Sequence, residues 1–238
     1  MTSILLRKKI KLVVCDMAGT IVNEKGIIYK LIGETLNEMG CVTSKKDIER
    51  WYGRDKREVL YNELYKGFSP SGIKKLAPLV KESEILLLRK LEENYFKDNN
   101  IELIDDKLLD LFENWRMKNM KVVLNTGYPG EFQKKIIEKM ELSGHIDDYI
   151  SSSEVSKGRP YPYMIYKLME RNNIINSKYV CKIGDTVNDM LEGKNAGCGL
   201  TIGVLSGADN KNDLLKYSNL VINKITDLNE EDVPVFLL

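Results

Sequence analysis

The stretch Lys11-Leu12-Val13-Val14-Cys15-Asp16-Met17-Ala18-Gly19-Thr20 fixes the reading of this chain. A short β-rich run ends in a carboxylate, and Gly19 permits a tight exit from the strand. Similar runs recur at residues 121–125, 179–184 and 200–204, with a weaker one near Tyr149-Ile150. Amphipathic stretches, such as 103–120 and 131–140, separate them. Near-continuous apolar strands alternating with helices predict an α/β fold, a Rossmann-like parallel sheet covered on both faces.

One interval breaks the alternation. Residues 24–99 carry no strand pattern, only helical periodicity at 27–39, 56–65 and 73–96, with Pro78 marking a kink or a boundary. The expected organisation is a core domain of residues 1–23 and 100–238 and a helical cap domain of residues 24–99. Ligands of an open parallel sheet bind beyond the carboxyl ends of its strands, so an insert placed just after the first strand hangs over that site.

Bulk composition excludes several classes. The 36 Lys and Arg residues nearly cancel the 35 Asp and Glu, and a net charge of +1 offers no broad field for nucleic acid or an anionic membrane. Cys15, Cys41, Cys181 and Cys198 form no close-spaced pair, which suits reduced, packed thiols rather than a disulfide frame or zinc site. His145, the single histidine, has no partner histidine and reads as an ordinary core or surface residue. No apolar run approaches about 18 residues, and Arg7, Lys8 and Lys9 follow rather than precede the first apolar residues. A cytoplasmic protein is expected.

Four elements fall at strand ends or just after them. Asp16 can act as nucleophile or metal ligand, or it caps a turn. Asn125-Thr126-Gly127-Tyr128 offers a hydroxyl and backbone N–H groups for phosphate oxygens, or simply opens a helix. Lys157-Gly158-Arg159-Pro160 places a permanent cation in a proline-rich loop, where a solvated arginine is the plain alternative. In Gly184-Asp185-Thr186-Val187-Asn188-Asp189 two carboxylates four residues apart suit Mg²⁺, or cap a helix. Carboxylate, hydroxyl, cation and paired acids in that order make a phosphoryl-transfer site, which needs positioning and charge neutralisation above all.

From about residue 10 to 205 these four elements resemble the motifs of the haloacid dehalogenase superfamily. The usual second aspartate of the first motif is here Ala18, and the usual lysine before proline is Arg159. With Thr126-Gly127-Tyr128 and Gly184-Asp185-Thr186, these features are similar to the phosphonoacetaldehyde hydrolase branch. The resemblance implies attack on phosphorus by Asp16 and a Mg²⁺ cofactor. Asp16, the backbone carbonyl of Ala18 and Asp185 would hold the ion, with Asp189 a water-mediated ligand or an orienting group. Thr126, Gly127, Tyr128 and Arg159 would bind the phosphonate or phosphate of a small-molecule substrate. Relatives that pair through the lid make a homodimer an expectation on resemblance alone.

Ala18 narrows the chemistry. Losing general acid catalysis costs a factor of about 10²–10⁴, so either another residue supplies the proton or the leaving group needs none. An enamine formed between a lysine and a substrate carbonyl needs none. The resemblance implies such a lysine three residues after a glycine, and Gly53-Arg54-Asp55-Lys56 fits. Asp55 and Glu58 also read as a capping box, with Arg54 and Arg57 lowering the affinity of Lys56 for a proton. Two positions depart from the branch: Val59 stands where a histidine is expected, and Tyr52 where a methionine is expected. Two rival readings stay open, a phosphomonoesterase on the same scaffold and a catalytically silent binding protein.

Overall fold

The computed structural model describes residues 10–67, 75–97 and 100–228. Arg7, Lys8, Lys9, Ile73, Lys74 and the expected domain limits at 1, 99 and 238 lie outside the described residues. The chain opens with β1 (Leu12–Asp16), followed by the two-residue strand β2 (Val22–Asn23) and four helices: α1 (Ile27–Glu38), α2 (Lys45–Glu49), α3 (Lys56–Lys66) and α4 (Leu76–Tyr95). β3 (Glu102–Leu103) then pairs antiparallel with β2, closing the neck of the helical segment. Neither this small pair nor the short α2 carries enough periodicity to be read from sequence. Pro78 falls in the first turn of α4, where its missing N–H costs no helical bond, so it marks the helix start and no kink.

Beyond the neck the alternation resumes with α5 (Leu108–Met117), β4 (Lys121–Thr126), α6 (Gly130–Lys139), β5 (Asp148–Ser151) and α7 (Tyr163–Arg171). It continues with β6 (Val180–Gly184), α8 (Val187–Ala196), β7 (Leu200–Val204), α9 (Lys211–Leu215) and β8 (Leu220–Ile222). Among the described residues the main sheet has six parallel strands in the order β5-β4-β1-β6-β7-β8. β1 lies between β4 and β6, so the strand order reverses on either side of it and its carboxyl end is the switch point.

Successive strand residues point to opposite faces, and the two cores separate along that alternation. Leu12, Val14, Val123, Ile150 and Val180 pack with Met164, Ile165 and Leu168 of α7 and Ala196 of α8. Val13, Cys15, Val122, Leu124, Cys181 and Ile183 face the other way, towards Phe112 of α5 and Phe132 and Ile136 of α6. In α4 the stripe Val80, Leu87, Leu91 and Tyr95 repeats at helical spacing and is buried. Cys15 and Cys181 are buried free thiols, and His145 is a half-buried residue beside Glu113. No helix among the described residues is long and apolar enough to cross a membrane.

Leu124 is fully buried at the centre of the larger core. Leu124→Ala is expected to lower the unfolding free energy by about 2–5 kcal/mol, read from urea denaturation.

Candidate active site

Strand register brings the distant motifs together. Asp16 of β1 lies opposite Asn125 of β4, and Cys15 lies opposite Ile183 of β6, which puts Asp185 one step beyond Gly184 on the same edge. Alternation also decides direction: Asp16, Asn125 and Lys182 share the face that α7 and α8 cover. There Asp189 and Glu192 of α8, three residues apart and on one side of the helix, meet them.

The centre of this cluster is Arg159, 1% exposed. Its Nη1 lies 2.7 Å from Asp16 Oδ1 and donates to the Gly53 carbonyl at 3.3 Å. Nη2 donates to the backbone and side-chain oxygens of Asn125 at 2.8 and 2.7 Å. Nε lies 3.1 Å from Asp189 Oδ1 and donates to Glu192 Oε2 at 3.2 Å. All five N–H donors of the guanidinium therefore meet protein acceptors. Burial alone would weaken the hold of Arg159 on its proton, but Asp189, Asp16 and Glu192 outweigh it and raise its pKa.

A second buried cation stands behind it. Lys182 reaches Asp189 Oδ1 at 2.8 Å, Asn125 Oδ1 at 2.7 Å and Glu192 Oε2 at 3.5 Å. Asn125 completes the net by donating Nδ2 to both oxygens of Glu192. Sequence reading passed over Lys182, Asn125 and Glu192 as site residues. A signal was present: a lysine inside a strand covered on both faces must be paired.

Oxygen atoms of Asp16, Asp185 and Asp189 all lie within 4.8 Å of one another. Burial, and then the charges of Asp16 and Asp189, push Asp185 well above the usual carboxylate range. Asp185 accepts from the Ala208 N–H at 2.7 Å and from the Thr20 hydroxyl at 3.5 Å. Burial would raise Asp189 as well, but Arg159 and Lys182 lower it. Asp189 also forms a reciprocal capping box with Thr186. Its Oδ2 takes the Thr186 cap, while Oδ1 has the two cations within ion-pair distance but no hydrogen-bond partner among the described residues. Among the described residues, the buried carboxylates Asp16, Asp185, Asp189 and Glu192 stand near three buried cations, Arg159, Lys182 and Lys56. Hard oxygen donors with negative charge to spare fit a small divalent cation.

Lys56 is 7% exposed and begins α3. Its amine donates to the Arg54 carbonyl at 3.1 Å and lies 5.5 Å from the ring centres of both Tyr29 and Tyr128. Burial first, then Arg159, lowers its pKa against the opposing pull of Asp16, Asp55 and Glu24. The expected capping box is half formed. Asp55 accepts from the Glu58 N–H at 2.9 Å, but the Glu58 carboxylate pairs with Arg54 at 3.0 Å. Arg57 pairs with Glu84 at 2.8 Å in a largely exposed position. Both flanking arginines are thus neutralised locally, and desolvation replaces them as the cause of the shift.

The 53–56 loop presses directly on the strand ends. A side chain on Gly53, held at φ +73°, would strike Thr186, and one on Gly127 would strike the Arg54 carbonyl. The Lys56 N–H donates to the Gly127 carbonyl at 3.3 Å, and Ser152 hydrogen-bonds Asp55. Thr126 Oγ1 accepts from the Tyr128 N–H at 3.3 Å, and the Tyr128 hydroxyl hydrogen-bonds Tyr95. Asp16, Ala18, Lys56, Thr126, Gly127, Tyr128, Arg159 and Asp185 all line one cavity of about 10 Å³, with room for about one water. Asp189 stands behind Arg159, outside that lining. A cleft of about 730 Å³ opens beside Ala18 and Asp185, and a groove of about 640 Å³ lies beyond Lys56.

Fold and site together define a parallel α/β protein with a carboxylate cluster and a buried arginine at its switch point. A profile of the haloacid dehalogenase-like hydrolases matches residues 13–203, and the chain belongs to that family. It is 35% identical over 104 residues to phosphonoacetaldehyde hydrolase of Bacillus cereus (strain AH187), covering 43% of this chain and 39% of that protein. The enzyme of the same name from Bacillus cytotoxicus is 36% identical over 94 residues, 39% of this chain and 35% of its own length. The aligned segment thus spans about two fifths of the curated relatives. Among solved structures, a phosphonoacetaldehyde hydrolase-like protein from Oleispira antarctica superposes with a TM-score of 0.74 at 20% identity, covering 96% of this chain and 93% of that one. β-Phosphoglucomutase from Clostridium difficile superposes at 0.76 with 18% identity, covering 96% and 97%. At these identities the likeness concerns the fold.

Lys182→Met is expected to cost about 3–5 kcal/mol in urea unfolding, because it leaves buried carboxylates short of a partner. Adding Glu192→Gln should recover part of that loss, a coupling readable in a double-mutant cycle.

Proposed function

We propose that this protein is a Mg²⁺-dependent hydrolase that cleaves the carbon–phosphorus bond of phosphonoacetaldehyde or a related 2-oxoalkyl phosphonate. The observation carrying this reading is the shared cavity: the amine of Lys56, buried and biased towards its neutral form, lines the same small space as Asp16. An amine brought to a carboxylate nucleophile, with Ala18 in place of an acid, suits a substrate whose leaving group is an enamine.

In this reading helices α1–α4 are a cap over a core formed by the rest of the chain. The cavity as it stands admits no phosphonate, so substrate enters when the 53–56 loop lifts from Gly127 and Thr186. Arg159 has no spare N–H while the loop is down, and its longest bond is the one to Gly53. Lifting the loop frees that donor for a phosphonate oxygen. Otherwise Arg159 holds Asp16 in line for attack. Thr126 and the N–H groups beside Gly127 take the remaining oxygens. Asp16, Asp185 and the carbonyl of Ala18 would hold Mg²⁺, which when bound supplies charge neutralisation for the phosphoryl oxygens. Lys56 adds to the substrate carbonyl to form an imine, Asp16 attacks phosphorus, and the bond electrons pass into the enamine. Water then cleaves the aspartyl phosphate.

Phosphate release from phosphonoacetaldehyde and 2-oxopropylphosphonate tests the reading, alongside cyanoborohydride trapping. Wild type should give an adduct on Lys56 and lose turnover to a chelator; Asp16→Asn should keep the adduct and lose turnover. Lys56→Ala should lower turnover by at least about 10². The neutral amine is the nucleophile and its pKa is lowered, so the trapping rate should rise with pH to a plateau reached below the ordinary lysine range. Absence of any Lys56 adduct, with phosphate-ester hydrolysis that survives Lys56→Ala, would replace this reading with a phosphomonoesterase.

A further inference from the structure

Imine chemistry moves protons, and Val59, standing where a proton-moving histidine is expected, cannot carry them. The structure supplies a different set. Glu24 follows β2 and is 5% exposed. Its Oε2 accepts from the Ile28 N–H and from the Tyr95 hydroxyl, each at 3.0 Å. The Tyr95 hydroxyl in turn hydrogen-bonds that of Tyr128, and both rings are buried. Tyr128 lines the cavity with Lys56, its ring centre 5.5 Å from the amine. Three hydrogen-bonded groups able to pass a proton thus run from α4 and the neck to the cavity. Unlike Asp16, Asp189 and Glu192, Glu24 makes no ion pair among the described residues.

We propose that Glu24, acting through the hydroxyls of Tyr95 and Tyr128, stores and returns the proton that Lys56 exchanges during imine formation. The proposal rests on the imine reading above. Burial raises the pKa of Glu24 and lowers that of Lys56, so both groups favour the same transfer. Glu24 is faced by Tyr95 from α4, Lys56 from α3 and Asp16 from β1, and Tyr29 of α1 faces the two tyrosines.

The steps balance. The Lys56 ammonium gives a proton, by way of a water in the small cavity that both residues line, to the Tyr128 oxygen as Tyr128 passes its own to Tyr95 and Tyr95 passes its own to the Glu24 carboxylate. A neutral amine and a neutral carboxylic acid result. The amine lone pair adds to the carbonyl carbon and the π electrons move to oxygen. One proton shifts from nitrogen to that oxygen, and the proton held by Glu24 returns through Tyr95 and Tyr128 to the resulting hydroxyl. Water departs, the protonated imine remains, and Glu24 is again a carboxylate. The reverse sequence releases the carbonyl product. Glu24 acts through Tyr128 and is a positioning residue in this scheme.

The test follows trapping of 2-oxopropylphosphonate on the full chain with Mg²⁺ and cyanoborohydride, by intact mass and peptide mapping, across pH and in H₂O and D₂O. Wild type should label Lys56 with a solvent isotope effect of about twofold or more. Tyr95→Phe and Glu24→Gln should slow labelling more than fivefold and remove that effect, with Tyr95→Phe reaching the wild-type yield at long times. Urea midpoints and calorimetric phosphate binding establish that each variant folds. If Glu24→Gln does not, Tyr95→Phe, which deletes a single oxygen, carries the test. Slowing below fivefold, or slowing with the isotope effect intact, overturns the relay and leaves the imine reading standing. No Lys56 adduct in wild type overturns the imine reading and the relay with it.

Discussion

The buried guanidinium of Arg159 is the contact on which the arrangement depends. Three carboxylates, from β1 and α8, converge on one side chain supplied by the loop before α7. None of them tolerates burial alone, because an uncompensated charge in a low-dielectric interior costs several kcal/mol. The cation makes their convergence possible, and the carboxylates hold the cation at the strand edge. Lys182 and Asn125 extend the same logic one layer deeper, where they hold Asp189 and Glu192. A carboxylate held this way has little orientational freedom left.

The same guanidinium links the core to the helical segment through the carbonyl of Gly53. The 53–56 loop is therefore held to the site by a hydrogen bond to the guanidinium as well as by close packing. Gly53 and Gly127 mark the closest approaches, where backbone meets side chain or backbone with no room for a methyl group. Burial in this position lowers the pKa of Lys56.

Family membership and fold set the frame within which Ala18 acquires meaning. The position that elsewhere holds an acid is a wall of the cavity, and the proton-bearing groups near Lys56 are instead hydroxyls and a carboxylate contributed by the neck and α4. The helical segment thus contributes Lys56, Tyr95 and the Gly53 carbonyl to the surroundings of Asp16 and Arg159.

Pattern and motif alone are enough to predict the parallel α/β fold, the positions of Asp16, Thr126 and Asp185 at or just past strand ends, and the helical character of the insert. Apolar periodicity and short motifs are local signals, and local signals survive in one dimension. The order of residues could not reveal Lys182, Glu192 and Asn125 as partners, since their meaning arises from strand register and from which face of α8 meets the sheet. It gave Arg159 a charge but not its full set of acceptors. It placed Glu24 and Tyr95, 71 residues apart, in a region of plain helical pattern with no hint that they touch. The protonation bias of Lys56 came from burial, a quantity that exists only once distant segments have packed, and tertiary structure alone decides it.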